Sequence, residues 1–231
     1  MCGRFNIISD PLTQMIMDIV NGVFEETPNP IDTRYNIAPT ESVPVLLRTN
    51  HGGWQLKDMR WWLVPSWSKA VSSKYTMFNA KSETLTKSRA FSLPFERKRC
   101  IVPVSGYYEW TTEGGVKLPH LIQPASEGGF AFAGLWDKWH RGDQMIESCT
   151  IITGAAPNSM EKIHKRIPIH LDANEIDSWL STGTSQKALL NLLSPHLRVP
   201  LSITPLSTYV SNARNKDERC IEPLGEPWKV H

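Results

Sequence analysis

Residues 100–153 read CIVPVSGYYEWTTEGGVKLPHLIQPASEGGFAFAGLWDKWHRGDQMIESCTIIT, and this stretch decides the fold. Runs rich in β-branched and aromatic residues alternate with short Gly-containing breaks, the pattern of consecutive strands. Cys100 to Val104 and Tyr107 to Thr111 read as strands split by Ser105-Gly106. Glu113-Gly114-Gly115 turns the chain into a third strand, Lys117 to Gln123. Phe130 to Trp139 and Met145 to Thr153 form a hairpin around Arg141-Gly142-Asp143. A run of antiparallel strands is therefore the middle of the protein.

Working outward toward the N-terminus, Val43 to Arg48 and Trp54 to Val64 read as two strands joined by His51-Gly52-Gly53. Pro65-Ser66-Trp67-Ser68 ends the second, and Lys69 to Lys74 is polar and expected at the surface. A short helix is expected over Leu85 to Phe91. Residues 3–8 read as a strand, followed by a helix capped by Ser9 or Asp10, with Pro11 at its first position. Leu12, Met15, Ile16, Ile19, Val20 and Val23 carry its helical spacing. Glu25 to Asp32 is a Pro-rich connection, and Arg34 to Thr40 a loop or irregular strand, because Pro39 biases Ala38 toward an extended conformation. Toward the C-terminus, short helices are expected at Asn158 to His164, Ala173 to Leu180 and Ser185 to Leu193. Ser202 to Pro205 reads as a strand, Tyr209 to Arg214 as a polar loop, and residues 217–231 as a peripheral tail. With no internal repeat and no low-complexity linker, the expectation is one α+β domain spanning residues 1–231.

Composition narrows the function. A chain of 231 residues, 40% hydrophobic, supports a substantial core. A net charge of +2 is compatible with nucleic-acid binding but does not require it. Nine Trp exceed what a core of this size demands and suit a surface that stacks on bases. Cys2, Cys100, Cys149 and Cys220 are far apart and form no C-x-x-C pair, which argues against a zinc site or a disulfide framework and for a reducing compartment. No secretory leader, lipoprotein signal or membrane-spanning run is read, and neither metal nor cofactor is expected.

The chemistry is concentrated at Met1-Cys2-Gly3-Arg4. Trimming of Met1 would leave Cys2 with an α-amine titrating near ~7.7–8.0 and a thiol near ~8.5, both partly reactive at neutral pH. Such a pair can condense with an aldehyde: the amine forms a Schiff base and the thiol closes on it to a five-membered thiazolidine. The plainer reading is a cysteine at position two by chance. Glu109, in Tyr107-Tyr108-Glu109-Trp110, shares a strand face with Tyr107. If that face points inward, its carboxyl is desolvated and suits a general acid–base; if outward, it is a surface glutamate. His164, followed by Lys165 and Arg166, could shuttle protons beside a polyanion or simply pack. Asn79 is a turn or cap residue, or an amide that holds an amine or ring oxygen. Trp61 and Trp62 are adjacent and face opposite sides, so at least one is expected in the core, whereas Trp67 is expected to be exposed. Arg4, Lys81 and Arg166 are candidate phosphate contacts.

The motifs Met1 to Phe5, Arg34 to Thr40, Trp61 to Trp67, Phe78 to Thr84, Gly106 to Trp110 and Ile163 to Pro168 occur in one order. Together they resemble the SRAP family of abasic-site processing proteins over nearly the whole chain. The resemblance implies a mostly antiparallel or mixed sheet forming a barrel-like core with peripheral helices. It implies capture of abasic sites in single-stranded DNA: Cys2 crosslinks to the ring-opened sugar, Asn79 orients the amine or sugar, Glu109 is the acid–base and His164 assists ring opening. Arg4, Trp67, Lys81 and Arg166 become the DNA-contacting set. The resemblance also implies lyase-like chemistry and an autopeptidase step exposing Cys2. It further implies a monomer with replication-associated partners, cytoplasmic and nucleoid-associated in a bacterium or nuclear in a eukaryote. Two positions depart from the family pattern. Lys81 stands where arginine is usual, losing the bidentate fork, and Lys165 stands where an acid is common. Two rivals fit the same start of the chain: an N-terminal-nucleophile glutamine amidotransferase, and a reader of single-stranded or modified DNA without covalent chemistry.

Overall fold

The computed structural model describes every residue except 1, 50, 73 and 127. Strand β1 (Phe5–Ile7) leads into helix α1 (Ser9–Val20), followed by β2 (Arg34–Ile37), β3 (Ser42–Arg48), β4 (Trp54–Trp61) and β5 (Asn79–Lys81). A 3-10 segment at Ser82–Lys87 and helix α2 (Ser92–Arg97) precede the central strands. These are β6 (Arg99–Val104), β7 (Gly106–Glu113), β8 (Val116–Pro124), β9 (Phe130–Arg141) and β10 (Gln144–Ala155). Then come β11 (Arg166–Pro168), β12 (His170–Leu171), α3 (Ala173–Leu180), α4 (Gln186–Leu192), β13 (Leu201–Pro205) and β14 (Trp228–Val230).

The order β10-β4-β3-β6-β9, with β9 pairing back onto β10, closes a five-stranded barrel. The ladders are antiparallel except β4–β10, which is parallel. Closure explains why β9 opens on the near-continuous apolar run Phe130 to Leu135: it pairs on both edges and is covered on both faces. It also explains Gly134. A Cβ there would lie 2.8 Å from Cys100 Sγ and 3.1 Å from Val102 Cγ2, so only glycine lets β6 approach this closely. A second sheet, β14-β13-β8-β7-β1-β2, is antiparallel throughout. Its inner face, with Phe5, Tyr107, Ile122 and Ile203, joins the main core alongside Trp61, Phe132 and Trp179. Its outer face, with Tyr108 and Leu121, packs on Leu206, Val210 and Cys220.

One exchange of partners positions the site. β10 pairs with Arg60 and Trp61 of β4, and two residues later takes up β5 in its place, Ile151 opposite Asn79 and Thr153 opposite Lys81. β4 therefore stops at Trp61 rather than Val64, and the Val64 N–H donates instead to Ser148 Oγ. Trp61 is fully buried with its Nε1 donating to the Phe78 carbonyl at 2.9 Å, while Trp62 is half-buried.

The α+β architecture and the five central strands agree with the sequence reading, and α3 spans the expected Ala173–Leu180, fixed by a capping box between Asp172 and Glu175. The helix expected over Leu85 to Phe91 is absent: the chain makes the 3-10 segment first and α2 only from Ser92, where Pro94 sits in a first turn that needs no N–H from it. Ser9 does not cap α1 but lies inside it, its hydroxyl donating to the Ile31 carbonyl at 2.7 Å. Arg34 to Ile37 forms the irregular strand of the two expected alternatives, paired to β1 with a register shift between Phe5 and Ile7. Of Asn158 to His164, only Asn158–Met160 is a 3-10 turn. Residues 217–231 lie at the periphery, contributing a 3-10 turn at Glu218–Ile221 that buries Cys220, and β14 on the sheet edge.

Trp61 joins the barrel to the N-terminal strand, its ring 4.6 Å from that of Phe5. Trp61→Ala is expected to destabilise the fold by about 3–5 kcal/mol. Equilibrium denaturation should show a lower midpoint at an unchanged slope; a loss of unfolding free energy below about 1 kcal/mol would contradict this packing role.

Candidate active site

Cys2 directly precedes the N-terminal ladder. Phe5 pairs with both Tyr107 of β7 and Ile37 of β2, and the Tyr108 N–H donates to the Arg4 carbonyl at 2.9 Å. This carries Cys2 to the start of β5, where Asn79 Nδ2 donates to the Cys2 carbonyl at 2.7 Å. The Cys2 side chain is wholly buried, with Sγ 3.8 Å from the Arg4 carbonyl. Burial pushes its thiol well above the ordinary range, and the negative charge of Glu109 adds to that effect.

Glu109 lies on the inner face of β7, two residues after Tyr107, and only 4% of it is exposed. The alternation read from sequence therefore holds, and the inward choice is the one the fold makes. Burial raises its carboxyl pKa, while the positive field of His164 opposes the rise. His164 follows the 3-10 turn at Asn158–Met160, and its Nδ1 lies 3.0 Å from both the N–H and the carbonyl of Arg166. As the Nε2–H tautomer the ring accepts the Arg166 N–H, and as imidazolium it donates to the Arg166 carbonyl. Cys2, Asn79, Glu109 and His164, some 160 residues apart at the extremes, are thus brought together: Asn79 bonds Cys2, the Glu109 charge acts on Cys2, and that of His164 acts on Glu109. Tyr107 belongs with them and was missed as a site residue. Burial holds its phenol protonated, with Glu109 and Cys2 adding to that effect. Its spacing of two from Glu109 on one strand was the available signal.

The four candidate DNA contacts are placed differently from one another. Trp67 is 45% exposed, with its Nε1 donating to the Arg89 carbonyl at 3.2 Å and the Arg89 guanidinium 4.2 Å from its ring centre. Lys81 is exposed at the end of β5, two residues from Asn79. Arg4 is a clamp within the fold: Nη1 donates to Asn36 Oδ1 at 2.7 Å and to the Val210 carbonyl at 3.1 Å, and Nη2 to the Ser211 carbonyl at 3.4 Å. Asn36 is buried, and its Nδ2 lies within hydrogen-bond distance of the Val210, Asn212 and Asn215 carbonyls. Arg166 is engaged by Glu83 and Thr153. Asn36 and Glu83 were passed over in the sequence, where both stood inside quoted motifs. All four cysteines are buried thiols. Among the described residues no group of His, Cys, Asp or Glu is arranged to hold a metal, and no helix is long and apolar enough to cross a membrane.

A small closed barrel flanked by a second sheet, with the buried Cys2 thiol beside the desolvated carboxyl of Glu109, defines an α+β barrel protein with a buried thiol–carboxyl pair. The chain belongs to the SOS response associated peptidase (SRAP) family, whose model matches residues 1–213. It is 33% identical over 229 residues to the abasic site processing protein YoaM of Bacillus subtilis, covering 96% of this chain and 98% of that one. It is 32% identical over 231 residues to the abasic site processing protein HMCES of Gallus gallus, covering 85% of this chain and 68% of the relative. A crystal structure of a protein from Bacteroides thetaiotaomicron shares the fold with a TM-score of 0.71 at 24% identity, covering 94% of this chain and 91% of that one.

The raised Glu109 pKa has a stability consequence of definite sign. A carboxyl that holds its proton more tightly when folded contributes stability below its unfolded pKa of about 4.3, lost as pH rises through the folded value. Wild-type stability should therefore fall relative to Glu109→Gln as pH is raised from about 4 toward 8. Denaturant titrations of both proteins across that range check this; a constant gap would place the carboxyl in water.

Proposed function

We propose that this protein captures abasic sites in single-stranded DNA as a covalent thiazolidine on Cys2. The observation that carries the reading is the meeting of Cys2, whose carbonyl Asn79 holds, with the desolvated carboxyl of Glu109. The names of the relatives, abasic site processing proteins, support the substrate class.

The reaction needs the Cys2 amine. Met1 lies outside the described residues, so its removal belongs to the proposal; a thiol beside a buried acid–base is suitable equipment for cleaving the bond that precedes it. The ring-opened sugar presents an aldehyde. The Cys2 amine adds to its carbon, and the carbinolamine loses one water to give an imine. The thiol then adds to the carbon of the protonated imine: the C–S bond forms, the S–H proton passes to the Glu109 carboxylate, nitrogen keeps the hydrogen it already carries, and the net loss is one water.

Each side chain has a role in that sequence. The amide of Asn79 fixes the Cys2 backbone and so aims the amine. Glu109, protonated more readily than an ordinary carboxyl, gives a proton to the departing hydroxyl and afterwards accepts the thiol proton. The raised thiol pKa keeps sulfur protonated until the positively charged imine forms beside it, so the amine reacts first. His164, held through Nδ1, protonates the sugar oxygen during ring opening. Lys81 and the exposed ring of Trp67 contact the strand on either side of the lesion.

Denaturing gels of protein mixed with an abasic oligonucleotide test this. Cys2→Ala should give no shifted band while retaining salt-sensitive binding to undamaged single strands. Glu109→Gln should form the same band about 10²- to 10⁴-fold more slowly, the scale of lost general acid–base catalysis. A band with Cys2→Ala would assign the chemistry to another nucleophile, and an unchanged rate with Glu109→Gln would remove the carboxyl from the mechanism.

A further inference from the structure

Arg166 opens β11, and its neighbours leave one edge of its guanidinium to a single partner. The inner edge is held by Thr153 of β10, with Nη2 2.6 Å from the Thr153 carbonyl, and Oγ1 3.3 Å from both Nε and Nη2. The outer edge makes a two-pronged ion pair with Glu83, Nη1 to Oε1 at 2.8 Å and Nη2 to Oε2 at 2.9 Å. Glu83 is the more exposed member, 51% against 18% for Arg166, so its carboxylate lies over the side of the guanidinium that faces solvent. Hydrogen bonding from Arg166 lowers the Glu83 pKa and keeps it an anion. Two oxygens sharing one charge across a guanidinium fork is also the arrangement a phosphodiester presents through its two non-bridging oxygens. Lys81, exposed and paired with Thr153 in the β5–β10 ladder, stands beside this seat, and His164 is tied to the Arg166 backbone.

We propose that Glu83 is a specificity-determining residue: its carboxylate occupies the seat on Arg166 that a DNA phosphodiester takes, and a strand must displace it to bind. The inference rests on the DNA-binding part of the function proposed above. Displacement leaves Glu83 hydrated and Arg166 bound to phosphate, with no bond broken and no proton moved. A strand that meets only Arg166 exchanges one anion for another and gains little. A strand already held at the Cys2 end supplies the phosphate at high local concentration and wins the exchange. Glu83 thereby weakens adherence to undamaged strands.

The test is fluorescence anisotropy of the full chain with a labelled, undamaged single strand of about 15 nucleotides, a length that fills a typical single-strand site. Glu83→Gln should bind about 5-fold tighter than wild type, the upper end for an exposed ion pair. Its plot of log K against log salt should be steeper by about 0.7, one additional phosphate neutralised. The gain should vanish when Glu83→Gln is combined with Arg166→Ala, or with Arg166→Gln should the alanine variant fold poorly. Equal or weaker binding by Glu83→Gln would show that Glu83 merely braces Arg166 and would overturn the proposal. So would a gain that survives loss of the Arg166 fork, since it would reflect net charge alone. Because the DNA carries no lesion, failure to crosslink abasic DNA would count against the function proposed above and leave this result standing.

Discussion

The burial of a carboxyl group beside a thiol, Glu109 beside Cys2, is the constraint on which the rest of the structure depends. Neither group is comfortable as an anion there: burial raises both pKa values, and the Glu109 charge raises that of Cys2 further. A fold that sought only stability would place leucine at position 109. Keeping the carboxyl requires walls that exclude water, and the core between the second sheet and the barrel supplies them. Tyr107 lies on the same face of β7, Phe5 lies on β1 opposite it, and Trp61 backs Phe5. The ordinary cost of a buried polar group is offset in part by the field of His164, whose ring the Arg166 backbone holds.

The N-terminus must be held as firmly as the carboxyl, because a strand end that frays would carry Cys2 away from it. Three sets of contacts prevent this. The β1 ladder runs between β2 and β7, Asn79 grips the Cys2 carbonyl, and the Arg4 guanidinium reaches across to Asn36 and to carbonyls of residues 210 and 211. The last of these ties the two ends of the chain together. It explains why residues beyond 208 contribute buried Val210 and Cys220 to the core on the outer face of the second sheet. Arg4 thus does structural work within the fold, joining the N-terminal strand to Asn36 and to residues 210 and 211.

Local features with strong turn or capping chemistry were legible in the sequence, whereas weaker ones such as the helix expected over Leu85 to Phe91, and the long-range pairings, were not. The hairpin at Arg141-Gly142-Asp143 and helix α3 follow from turn chemistry and capping, which act within a few residues. Closure of the barrel was not readable from pattern, because it depends on a parallel β4–β10 pairing between segments almost ninety residues apart. The early end of β4 belongs to the same pairing, since β5 replaces it along β10. Glu109 was recognisable as a candidate through its aromatic neighbours, but which face of β7 points inward is a tertiary choice. The Glu83–Arg166 pairing was hidden: Arg166 read as a candidate phosphate contact and Glu83 only as a member of a separate motif, and only the β5–β10–β11 arrangement brings them together.

The most direct test of covalent capture through Cys2 is the intact mass of the protein after incubation with a single-stranded oligonucleotide carrying one abasic site. The account predicts a denaturation-resistant adduct at the mass of protein lacking Met1 plus DNA minus one water, with the modified peptide beginning at Cys2. Complete absence of an adduct from protein confirmed to lack Met1, under conditions where it binds the strand, would contradict it.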